Sequence, residues 1–225
     1  MQTNKKLSQN SYDKLGSFAL IRELQYSLYN IARNAELGDP ELLKEIQKEA
    51  DIALRLIDSY LATSLLESGQ LSLNLTTIGI GSILHETAYE VRATSGHDVL
   101  VETKVAYPVM GHSILVKNFL FSIGYFMSKA CSSELKFCSF KSSDNRLAVA
   151  VVAKNFNIST KDLNRALKDG SAHMSMPKTS NQGAIMLLVA DAIARALGSS
   201  LSVKKIGRQK GFGLYLPKSE QLTFI

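Results

Sequence analysis

Side chains that could act as nucleophiles or metal ligands are few in this sequence and widely spaced. The four histidines are His85, His97, His112 and His173. None is spaced with a second histidine or a cysteine as metal-binding motifs require, so we expect no metal ion to bind. His85 is followed directly by Glu86, and this pair is a candidate for a nucleophilic imidazole beside an acid.

The length and composition favour a soluble globular protein with one large domain or two small ones. The chain has 225 residues, of which 45% are hydrophobic and 20% charged. No apolar stretch approaches the roughly 20 residues that a membrane-spanning helix needs. The segment Met1–Asp13 is polar and lacks the apolar core of a secretory signal. We therefore expect a cytoplasmic protein that binds no membrane.

Neither the positive charge nor the cysteines indicate a specialised site. The net charge is +6, but the basic residues are dispersed. The densest basic cluster lies near the turn of a predicted hairpin and comprises Lys204, Lys205, Arg208 and Lys210. We expect it to be solvated, and nucleic-acid binding is the less favoured alternative, which salt-dependent binding of DNA would support. Cys131 and Cys138 are too far apart for a CxxC pair, so we expect reduced thiols.

The first third of the chain predicts a hairpin of two long helices. Apolar residues recur at helical spacing from Asp13 to Ala35 and again from Leu42 to Leu65. Between these segments, Gly38 breaks the pattern, Asp39 can cap the next helix and Pro40 suits its first turn. Helices joined by so short a turn must lie antiparallel.

One hairpin cannot bury the apolar stripes of both its helices. Pairing with a second copy would complete a four-helix bundle, so we predict a homodimer. The alternative is that the hairpin packs on the chain's own second domain.

After Gly69 the pattern changes to an irregular mixture of strands and helices. The predicted strands are Leu71–Leu75, Val99–Val105, Leu135–Phe140, Leu147–Ala153, Leu201–Lys205 and Gly211–Leu216. The predicted helices are Ile80–Ala93, Ile114–Ala130, Lys161–Leu167 and Gly183–Leu197, the last ending at Gly198. This mixture predicts an α+β two-layer sandwich with helices on one face of a mixed sheet. The predicted division is a flexible N-terminus (1–12), a helical-hairpin dimerisation domain (13–70) and the sandwich (71–225).

Three local phrases, in this order, resemble the cytoplasmic core of bacterial sensor histidine kinases over nearly the whole chain. Glu23-Leu24, followed by Leu28 and Ile31, resembles the end of the phosphoacceptor phrase. The run Leu65–Leu71 is similar to the sequence that closes the second helix of the hairpin. Residues 207–217 resemble the closing hairpin of the ATPase domain, with Gly207, Phe212, Leu216 and Pro217 in place. The resemblance implies a dimerising phosphotransfer hairpin followed by an ATP-binding domain.

The resemblance also implies that the phosphoacceptor is missing. The position that matches the histidine is Arg22. Autophosphorylation needs a nucleophilic imidazole nitrogen, whereas a guanidinium stays protonated and offers no lone pair. Arg22 therefore cannot replace the histidine, and Glu23 has no imidazole to assist.

The positions that would hold ATP and Mg²⁺ are also altered. Ser122 and Phe126 stand where the family has two asparagines, and Phe126 has no oxygen ligand for magnesium. Ala153, or Lys154 if the register shifts by one residue, replaces the aspartate that binds adenine. Ala184 and Met186 replace glycines of the phosphate lid, where glycine lets backbone N–H groups approach phosphate. We expect that neither ATP nor Mg²⁺ binds.

These features together predict an inactive, kinase-like signalling protein. In the family, response-regulator receivers dock on the upper part of the hairpin. The corresponding positions here are Arg22, Glu23, Gln25, Tyr26 and Tyr29, and tyrosine and arginine often anchor interfaces. We therefore expect a homodimer that binds a receiver domain or another signalling protein. The alternative is a divergent phosphotransfer protein or kinase that uses His85.

Overall fold

The computed structural model describes residues 24–25, 27–37, 42–67, 73–105, 107–142, 146–156, 161, 163, 167 and 182–219. Of these, residues 62–63, 65–67 and 182–185 are described by their backbone alone. The predicted flexible N-terminus (1–12) lies outside the described residues, as does the predicted boundary at residues 70 and 71. The division into domains therefore stays a prediction.

The N-terminal part of the structure consists of two helices. Helix α1 includes residues 24–25 and 27–36, and α2 is Leu43–Glu67. Helix α2 has two apolar faces. Ile52, Ala53 and Leu56 on one face are buried, whereas Leu43, Leu54 and Leu61 on the other are between 52% and 62% exposed.

The remaining elements alternate between strands and helices. In chain order they are β1 (Thr76–Ile78), α3 (Ile80–Ser95), β2 (Val99–Thr103), β3 (Val109–Gly111), α4 (Ser113–Ala130), β4 (Leu135–Lys141), β5 (Leu147–Ala153), α5 (Gln182–Ala196), β6 (Ser202–Ile206) and β7 (Gln209–Leu216). Residues 161, 163 and 167 are also helical.

Five strands form a mixed sheet in the order β2-β4-β5-β7-β6. The β2–β4 pair is parallel, and the other neighbours are antiparallel. Every residue of the central strand β5 is buried. Strands β1 and β3 form a separate antiparallel pair.

The helices pack against the sheet, and α4 is the centre of that layer. Helix α4 contacts α3, α5 and the strands β4, β5 and β7, and all residues from Phe119 to Met127 are buried. A helix surrounded in this way needs apolar side chains on every side. The predicted α+β architecture, a mixed sheet packed with helices, is therefore observed.

Gly124 allows α4 to approach its neighbours closely. A Cβ atom at this position would lie 2.5 Å from Phe137 Cζ of β4 and 3.0 Å from a methyl group of Val91 in α3. Such contacts are shorter than packed carbon atoms allow. The residue therefore fixes the distance between α4, α3 and the sheet.

Most predicted elements agree with the structure to within about two residues, as boundaries usually do. Gly198 ends α5 with a φ of +69°, which is the left-handed geometry expected of a C-terminal glycine. The predicted strand Leu71–Leu75 is wrong over residues 73–75, which have no strand pairing. The strand begins at Thr76 instead, because Thr76–Ile78 is the segment that meets β3.

One hydrophobic core crosses the predicted domain boundary. Ile52 and Leu56 of α2 belong to the same buried cluster as Leu84 of α3 and Phe121 of α4. Helix α2 also packs against α5. The inner face of α2 is therefore covered by the chain's own sandwich, which is the alternative packing considered above. Within the described ranges, no helix has both the length and the apolar character needed to cross a bilayer.

Candidate functional site

Helix α4 carries the two positions at which the resemblance places magnesium ligands. Ser122 is 3% exposed and Phe126 is 1% exposed. Both lie in the part of α4 that is buried on all sides. A metal ion at this place would meet a phenyl ring instead of a ligand oxygen.

The ring of Phe126 belongs to a cluster of three aromatic side chains. Its centroid lies 6.4 Å from that of Phe156, in an edge-to-face arrangement, and 5.9 Å from that of Phe212. Phe156 and Phe212 contact each other at 5.3 Å with ring planes 70° apart. Tilted and edge-to-face pairs at these separations are favourable for aromatic rings. We call Phe126, Phe156 and Phe212 the phenylalanine cluster.

The phenylalanine cluster joins two elements that the resemblance assigns to the nucleotide site, α4 and the end of β5, to the closing strand β7. Phe126 lies on α4, Phe156 follows the turn after β5, and Phe212 lies on the closing strand β7. Ala153, at the adenine-binding position, is the last residue of β5 and is completely buried. Lys154 and Asn155 form an exposed turn, and the backbone N–H of Asn155 donates to Ser133 Oγ at 3.5 Å.

The lid positions lie in the first two turns of α5. Ala184 is helical, and its side chain is outside the described atoms. Met186 is 1% exposed and belongs to the same core as Phe126 and Phe156. Three of the altered positions, Phe126, Ala153 and Met186, therefore all lie in the same buried hydrophobic core.

The predicted docking positions are described only in part. Arg22, Glu23 and Tyr26 lie outside the described residues. Gln25 is exposed and helical, and Tyr29 is 65% exposed. The part of the docking surface that the structure describes is therefore accessible.

His85 lies on the exposed side of α3, far along the chain from the phosphoacceptor position. The carboxylate of its neighbour Glu86 is engaged by Lys117 Nζ at 3.4 Å. His97 has a structural contact, because its Nε2 lies 2.7 Å from the carbonyl oxygen of Ser133. His112 precedes α4, and His173 is outside the described residues.

The thiols and acids of the described part of the chain form no reactive centre. No group of three or more histidine, cysteine, aspartate or glutamate side chains in that part could hold a metal ion. Burial raises the pKa of Cys138 to about 12, and burial also raises the pKa of Cys131. Neither thiol is therefore a nucleophilic thiolate near neutral pH.

The structure contains a cluster of charged side chains between three helices that was not predicted from the sequence. Glu90 of α3 accepts from Arg55 of α2 on Oε2 at 2.8 Å, and from Lys117 of α4 on Oε1 at 2.7 Å. Burial raises the pKa of Glu90, but the hydrogen bond from Lys117 and the charge of Arg55 outweigh it, so that pKa lies below its ordinary value. The signal in the sequence is an arginine between Ile52 and Leu56 on an otherwise apolar face.

Comparison with solved structures identifies the fold of the chain. No protein-family model matches the chain, and no curated protein matches it in sequence. The histidine kinase AdeS of Acinetobacter baumannii is similar in structure, with a TM-score of 0.58 and 18% identity over 89% of this chain and 96% of that one.

Two further solved structures are similar. The full-length ShkA structure in complex with AMPPNP has a TM-score of 0.58 and 13% identity, and covers 96% of this chain. This chain spans 45% of ShkA. The mycobacterial sensor histidine kinase MprB has a TM-score of 0.51 and 11% identity over 64% of this chain and 98% of that one. The chain therefore has the fold of a histidine kinase core.

Proposed function

We propose that this chain is a catalytically inactive, histidine-kinase-like signalling protein. It dimerises and binds a partner such as a response-regulator receiver, and it neither hydrolyses ATP nor phosphorylates itself. The observation that carries the proposal is the phenylalanine cluster. Phe126 of that cluster, with Ala153 and Met186 in the same apolar core, occupies the positions that the resemblance assigns to the magnesium, adenine and lid stations.

The physical basis is the cost of placing charge in such an environment. Triphosphate and Mg²⁺ need oxygen ligands and approachable N–H groups. An apolar cluster supplies neither, and a charged group buried without partners is strongly disfavoured. The absence of a histidine at Arg22 independently removes the phosphoacceptor. Non-binding of ATP and lack of autophosphorylation are therefore supported by separate parts of the chain.

Thermal unfolding with and without Mg-ATP tests the nucleotide half of the proposal. We expect no change in Tm, because a ligand stabilises only the state that binds it. A ligand at one hundred times its Kd would add about 2.7 kcal/mol, which is several degrees for a domain of this size. A shift of that size would contradict the proposal, and a nucleotide-binding histidine kinase core is the positive control.

Receiver binding tests the partner half. We expect a receiver domain to bind the full chain, and the double substitution Tyr26→Ala with Tyr29→Ala to weaken binding by removing two aromatic anchors. Tyr89→Ala is the matched control, because Tyr89 is 75% exposed but lies on α3. Unchanged affinity in the double variant would place the docking site elsewhere.

Phosphate transfer to His85 is the outcome that would overturn the proposal. His85 is exposed, so it is accessible to a phosphorylated receiver. We expect no acid-labile label on the chain after incubation with labelled ATP or with a labelled receiver. Label that disappears in His85→Ala would instead identify a phosphotransfer protein.

The outer face of α2 supports the homodimer. Leu43, Ala50, Leu54, Ile57 and Leu61 follow the alternating spacing of a coiled-coil seam, and the three leucines are more than half exposed. Exposed leucines at this spacing are typical of a helix that packs on another helix. A second copy of this chain would cover the exposed apolar face of α2 on both hairpins at once.

A further inference from the structure

Helix α2 is bound to the sandwich by side chains that lie deep in the common core. Ile52 is 2% exposed and Leu56 is 3% exposed. Both belong to the cluster that includes the buried residues of α3, α4 and α5. Such burial is that of an interior, not of a loosely associated surface.

An ion-pair network lies at the edge of the contact between α2 and the sandwich. Each oxygen of the Glu90 carboxylate has its own cation, Arg55 on one side and Lys117 on the other. The three side chains are between 27% and 31% exposed, so solvent screens them only in part. The guanidinium of Arg55 also lies 4.0 Å from the centroid of the Phe121 ring, a cation–π distance.

We propose that Arg55, Glu90 and Lys117 form a clamp that holds α2 permanently on the sandwich, so that the hairpin and the sandwich move as one body. Removing the acid of this clamp leaves Arg55 without its carboxylate, whereas Lys117 keeps only its longer contact of 3.4 Å with Glu86. Neutralising Glu90 therefore removes the charge attraction across the α2–α3–α4 junction. This proposal does not depend on whether the chain binds ATP or a receiver.

The distance between α2 and α3 in the full-length protein tests the clamp directly. Spin labels on an unnatural amino acid at Asp51 and Arg92, which are both exposed, leave Cys131 and Cys138 unmodified. Dilution with unlabelled protein isolates the distance within one chain. We expect one narrow distance distribution in the native protein. In Glu90→Gln and in Arg55→Met we expect the distribution to become at least twice as wide and to gain longer distances.

A matched ion pair within the sheet provides the control. Glu102 and Lys136 are joined at 2.7 Å, as Lys117 and Glu90 are, but neither lies on α2. Glu102→Gln should therefore leave the distribution unchanged. Circular dichroism verifies that each variant retains its helices.

Either of two results would overturn the proposal. A broad or multiple distribution in the native protein would mean that the hairpin swings freely. Clamp variants with the native distribution would mean that the apolar contact alone holds α2. Because the readout is a distance, failure of the clamp is distinguishable from failure of the proposed function.

Discussion

At the scale of single residues, the phenylalanine cluster joins α4 to the end of β5 and to β7. Phe126, Phe156 and Phe212 come from parts of the chain that are distant in sequence and meet at ring separations of 5.3 to 6.4 Å. A buried cluster of this kind contributes to the stability of the core.

Phe126→Ala is expected to lower the free energy of unfolding by about 3–5 kcal/mol, because it removes a buried ring and leaves a cavity. Chemical denaturation of the full chain measures the change. Tyr89→Ala, at a position that is 75% exposed, should change it by less than about 0.5 kcal/mol. A similarly small effect for Phe126→Ala would show that the site is loosely packed.

Glu90 should make stability depend on acid pH. Its folded-state pKa is lower than the ordinary value of 4.5, chiefly through Lys117 and Arg55 acting against burial. The carboxylate therefore contributes stability above the unfolded-state pKa, and this contribution is lost as the pH falls through the folded-state pKa. Urea denaturation should show native protein and Glu90→Gln differing at neutral pH and converging well below pH 4.5. A difference that does not depend on pH would contradict the assignment.

Some residue-level features were open to prediction and others were not. The altered identities at Phe126, Ala153 and Met186 are visible in the sequence because local phrases align them. The contact between Phe156 and Phe212 is not visible, because nothing local pairs residues so far apart. For the same reason, the partner of Arg55 could be found only from the fold.

At the scale of elements, Gly124 determines how closely α4 packs. In Gly124→Ala the new methyl group overpacks against Phe137 and Val91, which costs about 1–3 kcal/mol. The gain in helix propensity offsets about 1 kcal/mol of this cost, so we expect a net destabilisation of up to about 2 kcal/mol. Thermal unfolding measures the balance.

Gly81→Ala provides the matched control for that substitution. Gly81 lies in the first turn of α3, and a Cβ atom there would meet no other atom within 4 Å. The same change should therefore stabilise the protein slightly, by up to about 1 kcal/mol. Equal effects at the two sites would mean that packing around α4 is not tight.

The elements that were predictable are those with a strong internal pattern. Long helices such as α3 and α4, and the apolar strand β5, were located by periodicity and composition. Strands β1 and β3 have three residues each, which is too short to show an alternation of period two. Their existence depends on pairing with each other, which is information that no local window contains.

At the scale of the whole molecule, one face of α2 packs in the core, and the proposed homodimer would use the opposite, exposed face. Leu54→Glu with Leu61→Glu is expected to convert a homodimer to a monomer, because it places two charges in the exposed apolar seam. Analytical ultracentrifugation measures the mass. Lys44→Glu, an exposed position outside the seam, should leave it unchanged. A monomeric native protein, or a dimeric double variant, would contradict this use of the outer face.

The packing of the hairpin on the sandwich was the feature least predictable from the sequence. The sequence indicates an amphipathic hairpin and a sandwich, and both an intermolecular bundle and intramolecular packing satisfy that pattern. The choice depends on whether the apolar face around Ile52 complements the helices of the sandwich, which is a property of shape. The structure brings these surfaces together, and the seam of leucines remains on the other side.

Helix α2 is buried on one side, and its opposite side would be covered in the proposed homodimer. Between these two sides runs a polar strip that is marked by Lys44, Asp51 and Asp58. Tolerance to random substitution in α2 should therefore be highest along this strip. Any protein that grips the seam would stand only one helix diameter, about 10 Å, from the sandwich interior.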